Sequence, residues 1–126
     1  MAVERGAEIG LMDMLQTAAE DVAGVVRFYS EVLGATVESA HEEWSQVRLG
    51  GVSLGIHRKP AAIETWMPSF RVGDIAAVKA ALEAAGTPIL RDFHDIPGGV
   101  VMAFKDPAGN PVQAVQLGIT EAELSA

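Results

Sequence analysis

The chain carries one arrangement twice, 53 residues apart, and that repeat constrains its fold more than any other feature. Two segments place apolar residues at helical spacing. Val22, Val25, Val26, Tyr29 and Leu33 form the first stripe, and Ile75, Val78, Leu82 and Ala85 the second. An aspartate opens each segment, Asp21 and Asp74, where a side-chain oxygen can accept from free backbone N–H groups and a negative charge suits the positive helix end. A glycine closes each, Gly34 and Gly86. The step from Asp21 to Asp74 also carries Val22 onto Ile75, Val25 onto Val78 and Tyr29 onto Leu82. Two copies are too few for a solenoid, so the pattern predicts a pair of similar modules.

Strand patterns surround both helices. Leu11–Ala18 precedes the first, and Ala35–Ala40, Trp44–Leu49 and Val52–His57 follow it. Thr65–Val72 precedes the second, and Pro88–Phe93, Val100–Lys105 and Pro111–Leu117 follow it. Gly50-Gly51 is a tight hairpin turn, and Asp106-Pro-Ala-Gly-Asn110 is a turn in which proline fixes φ and glycine supplies positive φ. Each module therefore reads β-α-β-β-β, at about residues 11–59 and 65–117 of a single 1–126 domain. The expected fold class is α+β, with the two modules forming a curved mixed sheet that encloses a groove. Alternation sets the faces: Val47, Leu49, Val52, Leu54, Ile56, Phe70 and Val72 face the helices. Trp44, Gln46, Arg48, Ser53, Gly55, His57, Met67, Ser69 and Arg71 face the other way. Trp66 is expected to pack on the helix side, and His94 and Asp95 to lie in the loop before Pro97.

Composition removes several classes of function. A net charge of −8 repels polyphosphates, so nucleic acid is not an expected partner. No apolar run reaches the roughly 18 residues of a membrane span, and Glu4, Arg5 and Glu8 interrupt the start where a secretory core would lie. The absence of cysteine excludes disulfides and thiolate chemistry and fits a cytoplasmic protein. Hydrophobic residues at 49% are abundant for a small acidic chain and point to a homodimer.

Three strings resemble one family. Asp21-Val-Ala-Gly-Val-Val-Arg-Phe-Tyr-Ser-Glu-Val-Leu-Gly34 is similar to the first helix of the vicinal-oxygen-chelate superfamily, which includes glyoxalases, bleomycin-resistance proteins and extradiol dioxygenases. Val72-Gly-Asp-Ile75 with Ala84-Ala-Gly86 resembles the second-module counterpart, and Phe104-Lys-Asp-Pro-Ala-Gly-Asn-Pro-Val-Gln113 the closing hairpin. The resemblance runs from about Leu11 to Leu117. It implies four metal ligands, one from the first and one from the last strand of each module, converging in the groove around a divalent ion that engages vicinal oxygens.

At the positions the resemblance assigns to ligands stand Met14, Gly55, Met67 and Gln113. A hard cation requires carboxylate or imidazole there, so no metal and no cofactor are expected. Methionine moulds itself to irregular apolar bodies, Gly55 is expected to open space, and Trp44 can stack on a planar ligand. Gln16, Gln46, Gln113 and Ser69 can orient such a ligand by hydrogen bonds. His57 reads either as a general base or donor in the groove, or as a solvated strand-end histidine. Arg48 reads either as a counter-charge for a ligand or as half of a structural ion pair.

Three functions remain open from the sequence. One is metal-independent binding of a small, largely apolar molecule, as in drug sequestration (antibiotic resistance) or a natural-product pathway. Another is a metal-free lyase, isomerase or cyclase using His57 with help from Arg48 or Glu43. The third is a glyoxalase- or dioxygenase-like metalloenzyme with ligands displaced among His41, His57, His94 and nearby carboxylates. Turnover, the ligand's identity, and whether the modules pair within a chain or between chains are left undecided by the residues.

Overall fold

A computed structural model describes residues 9–61 and 65–125. It has the expected α+β composition and order: β1 (Ile9–Ala19), α1 (Val22–Arg27), β2 (Thr36–Ala40), β3 (Trp44–Leu49), β4 (Val52–Arg58), β5 (Met67–Val72), α2 (Ile75–Ala84), β6 (Ile89–Ile96), β7 (Gly99–Lys105), β8 (Pro111–Leu117) and α3 (Glu121–Leu124). The chain divides into two compact units. One runs from Asp13 to Pro68, and the other takes Ser69 onward together with the start of β1.

In the first unit the strands run β2-β3-β4-β1. β1 and β4 are parallel, with Met14 beside Ser53, Gln16 beside Gly55 and Ala18 beside His57. β3 and β4 are antiparallel and meet through a two-residue turn in which Gly50 takes a φ of 64°. α1 covers one face. Beneath it Val22, Val47, Leu54 and Ile56 are buried, and Leu15, Val25, Val26, Tyr29 and Leu49 pack around them. These are the residues that alternation assigns to the helix side. Asp21 caps the helix by accepting from Gly24 N at 2.9 Å.

The first stripe ends earlier than its spacing predicts. α1 passes into a π-helical turn over Phe28–Val32, in which Ser30 Oγ donates to Val26 O at 2.8 Å. A π turn takes more residues per revolution, so Leu33 rotates off the apolar face and is 62% exposed. Gly34, with a φ of 75°, then turns the chain into β2.

In the second unit the order is β5-β8-β7-β6. β5 and β8 are parallel, with Ser69 beside Gln113, and β7 and β8 are antiparallel, with Ala103 beside Gln113. α2 lies over Val72, Ile75, Val78, Val100, Met102 and Ala114. Asp74 accepts from Ala77 N at 3.1 Å, and the Gln116 side chain accepts from Ile75 N at 2.8 Å. The Asp106 carboxylate organises the turn before β8 by accepting from the backbone N–H groups of Ala108 and Asn110, both at 2.9 Å, and from the Asn110 amide at 3.0 Å. Gly10, the second residue of β1, lies so close to β5 that a Cβ there would come 2.8 Å from Arg71 O, so a side chain at this position would require the backbone to shift.

Three local expectations change. His94 and Asp95 are on β6 rather than in a loop, because the turn is confined to Pro97-Gly98. Trp66 is 47% exposed rather than packed on the helix side, because β5 begins only at Met67 and Trp66 precedes it. α3 was not legible in the strand pattern. Thr120 and Glu123 form a reciprocal capping box, Asp95 accepts from Glu121 N at 2.7 Å, and Leu124 packs against the α2 core.

Candidate functional site

Within the first unit, the face away from α1 gathers Met14, Gln16, Trp44, Gln46, Arg48, Gly55 and His57. The strand register alone dictates this. Gly55 sits between Gln16 on β1 and Gln46 on β3, while Trp44 and His57 are directly paired across β3 and β4. Side-chain contacts agree. A Cβ at Gly55 would lie 3.3 Å from Trp44 Nε1, 3.8 Å from Gln16 Cγ and 3.8 Å from Met14 Sδ. Gly55 thus does not open a void as expected. It allows the indole to lie down against β4 with Met14 and Gln16 beside it.

His57 is half-buried, and its Nε2 is 2.7 Å from Gln16 Oε1. Its ring centroid is 6.3 Å from that of Trp44. Burial pushes its pKa below the ordinary value, because desolvation disfavours the imidazolium. At neutral pH the ring is therefore uncharged, with one N–H and one lone pair. Facing the Gln16 oxygen, Nε2 carries the proton, which leaves Nδ1 as an acceptor. His57 sits at the end of β4, partly exposed, with its ring held toward Gln16.

A second cluster occupies the same face. Glu38, on β2, accepts from Ser53 Oγ at 2.5 Å, from Gln46 Nε2 at 3.0 Å and from Arg48 Nε at 3.2 Å. The Ser53 hydroxyl, then the Gln46 amide, then Arg48 hold its carboxyl below the usual carboxylate range. Arg48 is thus half of an ion pair, and its charge is already answered. Glu38 was not singled out from the sequence, because a bulge between Val37 and Ser39 breaks the alternation along β2. The available signal was a lone carboxylate in mid-strand, on the hairpin partner of a strand bearing arginine.

The remaining candidates lie on β5 and β8. Gln113 Nε2 donates to Ser69 Oγ at 3.1 Å, and Ser69 is buried. Met67 is 1% exposed and belongs to neither apolar cluster beneath the helices. The registers bear on the duplication: Gln16 beside Gly55 matches Ser69 beside Gln113, so Gly55 and Gln113 hold equivalent places in their modules.

The four positions that the resemblance makes metal ligands therefore offer two thioethers, a bare backbone and a carboxamide. The nearby carboxylate, Glu38, is occupied by three donors. Among the described residues no group of three or more histidine, aspartate or glutamate side chains is placed to hold an ion. This donor set does not fit a hard divalent cation.

Solved structures of similar fold include homoprotocatechuate 2,3-dioxygenase from Brevibacterium fuscum in complex with 3,4-dihydroxyphenylacetate. It has 20% identity and a TM-score of 0.72, and the match covers 92% of this chain and 39% of that one. A variant of that dioxygenase matches at 19% and 0.70, covering 92% of this chain and 34% of that one. A protein described as an NAD-dependent benzaldehyde dehydrogenase from Legionella pneumophila matches at 14% and 0.68, covering 82% of this chain and 97% of that one. The chain thus spans about a third of the dioxygenase's length, and at these identities the likeness is one of fold. No curated protein sequence matches it. The family model described as a glyoxalase-like domain matches residues 14–115, and with the repeated βαβββ module this makes the chain a member of the glyoxalase-like family within the vicinal-oxygen-chelate superfamily.

Proposed function

We propose that this protein binds a small, largely apolar organic molecule without the help of a metal, in the manner of drug-sequestering or natural-product-pathway members of its superfamily. The observation that carries the reading is the cluster on Gly55, where an indole, a thioether and a carboxamide converge at a position that the resemblance gives to a metal ligand. Aromatic and methionine side chains with a few fixed polar groups are the usual lining of sites for such ligands. The acidic chain and the neutralised Arg48 add no cationic centre for phosphorylated or polyanionic ligands. A homodimer in the cytoplasm is part of the same reading.

Thermal-shift screening with planar organic compounds tests this. At least one should raise the melting temperature equally with and without EDTA, and Trp44→Ala should weaken its binding about tenfold, the loss expected for one stacked aromatic contact. Stoichiometric iron, manganese, nickel or zinc in the purified protein, with binding abolished by its removal, would overturn the proposal.

A metal-free enzyme is a second reading, favoured by one observation: His57 is neutral and oriented by Gln16, with a lone pair free to take a proton. If His57→Ala abolishes conversion of a bound compound while its affinity stays within about twofold, this reading replaces simple binding.

A further inference from the structure

We propose that the ligand is recognised through a neutral carbonyl oxygen on a flat ring, held by the indole N–H of Trp44 and an amide N–H of Gln16. This deepens the binding reading above and rests on it.

The donors on this face are not used up by the protein. Trp44 is partly buried, and its Nε1 is open to solvent and makes no hydrogen bond to any described residue, so its N–H is available to a ligand. Its position is set, because Nε1 lies 3.3 Å from the point where a Gly55 Cβ would stand, so the indole nitrogen lies against β4. Gln16 reaches the same point, its Cγ 3.8 Å from it. The Gln16 oxygen is committed to His57 Nε2 at 2.7 Å, which leaves the amide's two N–H groups as what it can offer a ligand. Two donors beside one small area of strand are complementary to an acceptor oxygen, whose two lone pairs can serve both.

Charge decides which acceptor. The cation on this face, Arg48, is paired with Glu38, which also takes the Gln46 amide. His57 is kept neutral by burial. A carboxylate or phenolate would have to leave water for two neutral donors beside an arginine, Arg48, already paired with Glu38, whereas a ketone or quinone carbonyl loses little solvation on entering. The Trp44 ring and the Met14 sulfur supply flat and adaptable apolar contact for the rest of the molecule.

Two matched pairs of probes isolate the carbonyl: indanone against indane, and fluorenone against fluorene. In wild-type protein each ketone should bind about tenfold more tightly than its hydrocarbon, the effect of one or two net hydrogen bonds. Trp44→Phe and Gln16→Met should each bring the ratio of ketone to hydrocarbon affinity toward one. In a Trp66→Phe protein, Trp44 gives the one remaining indole N–H proton resonance. That resonance should move downfield with ketone and not with hydrocarbon, a readout that does not depend on altering the site. Equal affinities within both pairs, an unmoved indole resonance, or benzoate binding more tightly than indanone would overturn the carbonyl assignment and leave the binding reading standing. If none of the four compounds binds, both fall.

Discussion

In the module that begins with β1, Gly55 is flanked by Gln16 on the parallel side and Gln46 on the antiparallel side; in the module that begins with β5, Gln113 is flanked by Ser69 and Ala103 in the same two places. The paired residues two positions further along the strands, on the same face, are Trp44 and His57 in the first module, Val101 and Val115 in the second. The backbone register has been kept while its side chains have diverged. The first module carries an aromatic ring and an imidazole where the second carries two valines, and the second carries the Gln113–Ser69 hydrogen bond where the first has Gly55 beside Gln16. The helices differ in the same sense. α2 is a regular ten-residue helix, whereas α1 gives way after six residues to a π turn. Each module keeps its own core, so chemistry could change on one sheet face without disturbing the packing on the other.

The largest effect should show that the two cores are equivalent. Leu54 beneath α1 and Met102 beneath α2 are both 0% exposed. Leu54→Ala and Met102→Ala should each cost about 2–5 kcal/mol, through lost transfer energy and the cavity left behind. Urea denaturation of the two variants measures this. A cost below about 1 kcal/mol in one variant alone would show that its module contributes no core of comparable quality.

A smaller effect should separate the recognition face from an ordinary strand turn. Gly55→Ala places a methyl group 3.3 Å from Trp44 Nε1, so the indole must shift, at a cost of about 1 kcal/mol typical of mild overpacking. Gly51→Ala meets nothing within 4 Å and should be close to neutral. Fluorescence of Trp44 in a Trp66→Phe protein should change for the first substitution and not for the second. An unchanged emission spectrum in Gly55→Ala would mean that the indole does not rest on β4.

The repeat, the caps and the strand faces were all legible in the sequence, because each depends on local periodicity. Asp21, Asp74, Gly34 and Gly86 mark both helices, and alternation correctly separates Leu54 and Ile56 from Gly55 and His57. The features that were not legible are those where periodicity fails. The π turn moves Leu33 off its stripe, the bulge in β2 hides Glu38 among residues of uncertain face, and α3 is too short to show a stripe. The role of Gly55 was invisible for a different reason. A glycine that creates room and one that admits a neighbouring ring are identical in sequence, and only the position of Trp44 distinguishes them. That the Gln16 oxygen is spent on His57 likewise depends on a contact across 41 residues.

The smallest expected effect compares His57 in the first module with His94 in the second. Burial lowers the pKa of His57. For His94, burial first and then the charge of Arg91 do the same, and its Nδ1 is buried without a partner. In both cases the unfolded chain binds a proton more readily than the folded one, so folded stability rises with pH. The rise lies between the lowered folded values and the ordinary histidine value of about 6.5, and it levels off above that. Glu38, Asp92 and Asp106, all held below their ordinary values, contribute in a separate window. Their stabilisation is present above the normal carboxylate range and is lost as pH falls through their lowered values. Stability measured from pH 5 to pH 7 should therefore rise in the wild type and rise less in His57→Gln. The remaining slope should disappear in the variant that also carries His94→Gln. If His57→Gln leaves the slope intact while the His94 substitution removes it, the titrating group belongs to the second module, and the picture of a neutral, Gln16-held imidazole on the recognition face loses its support.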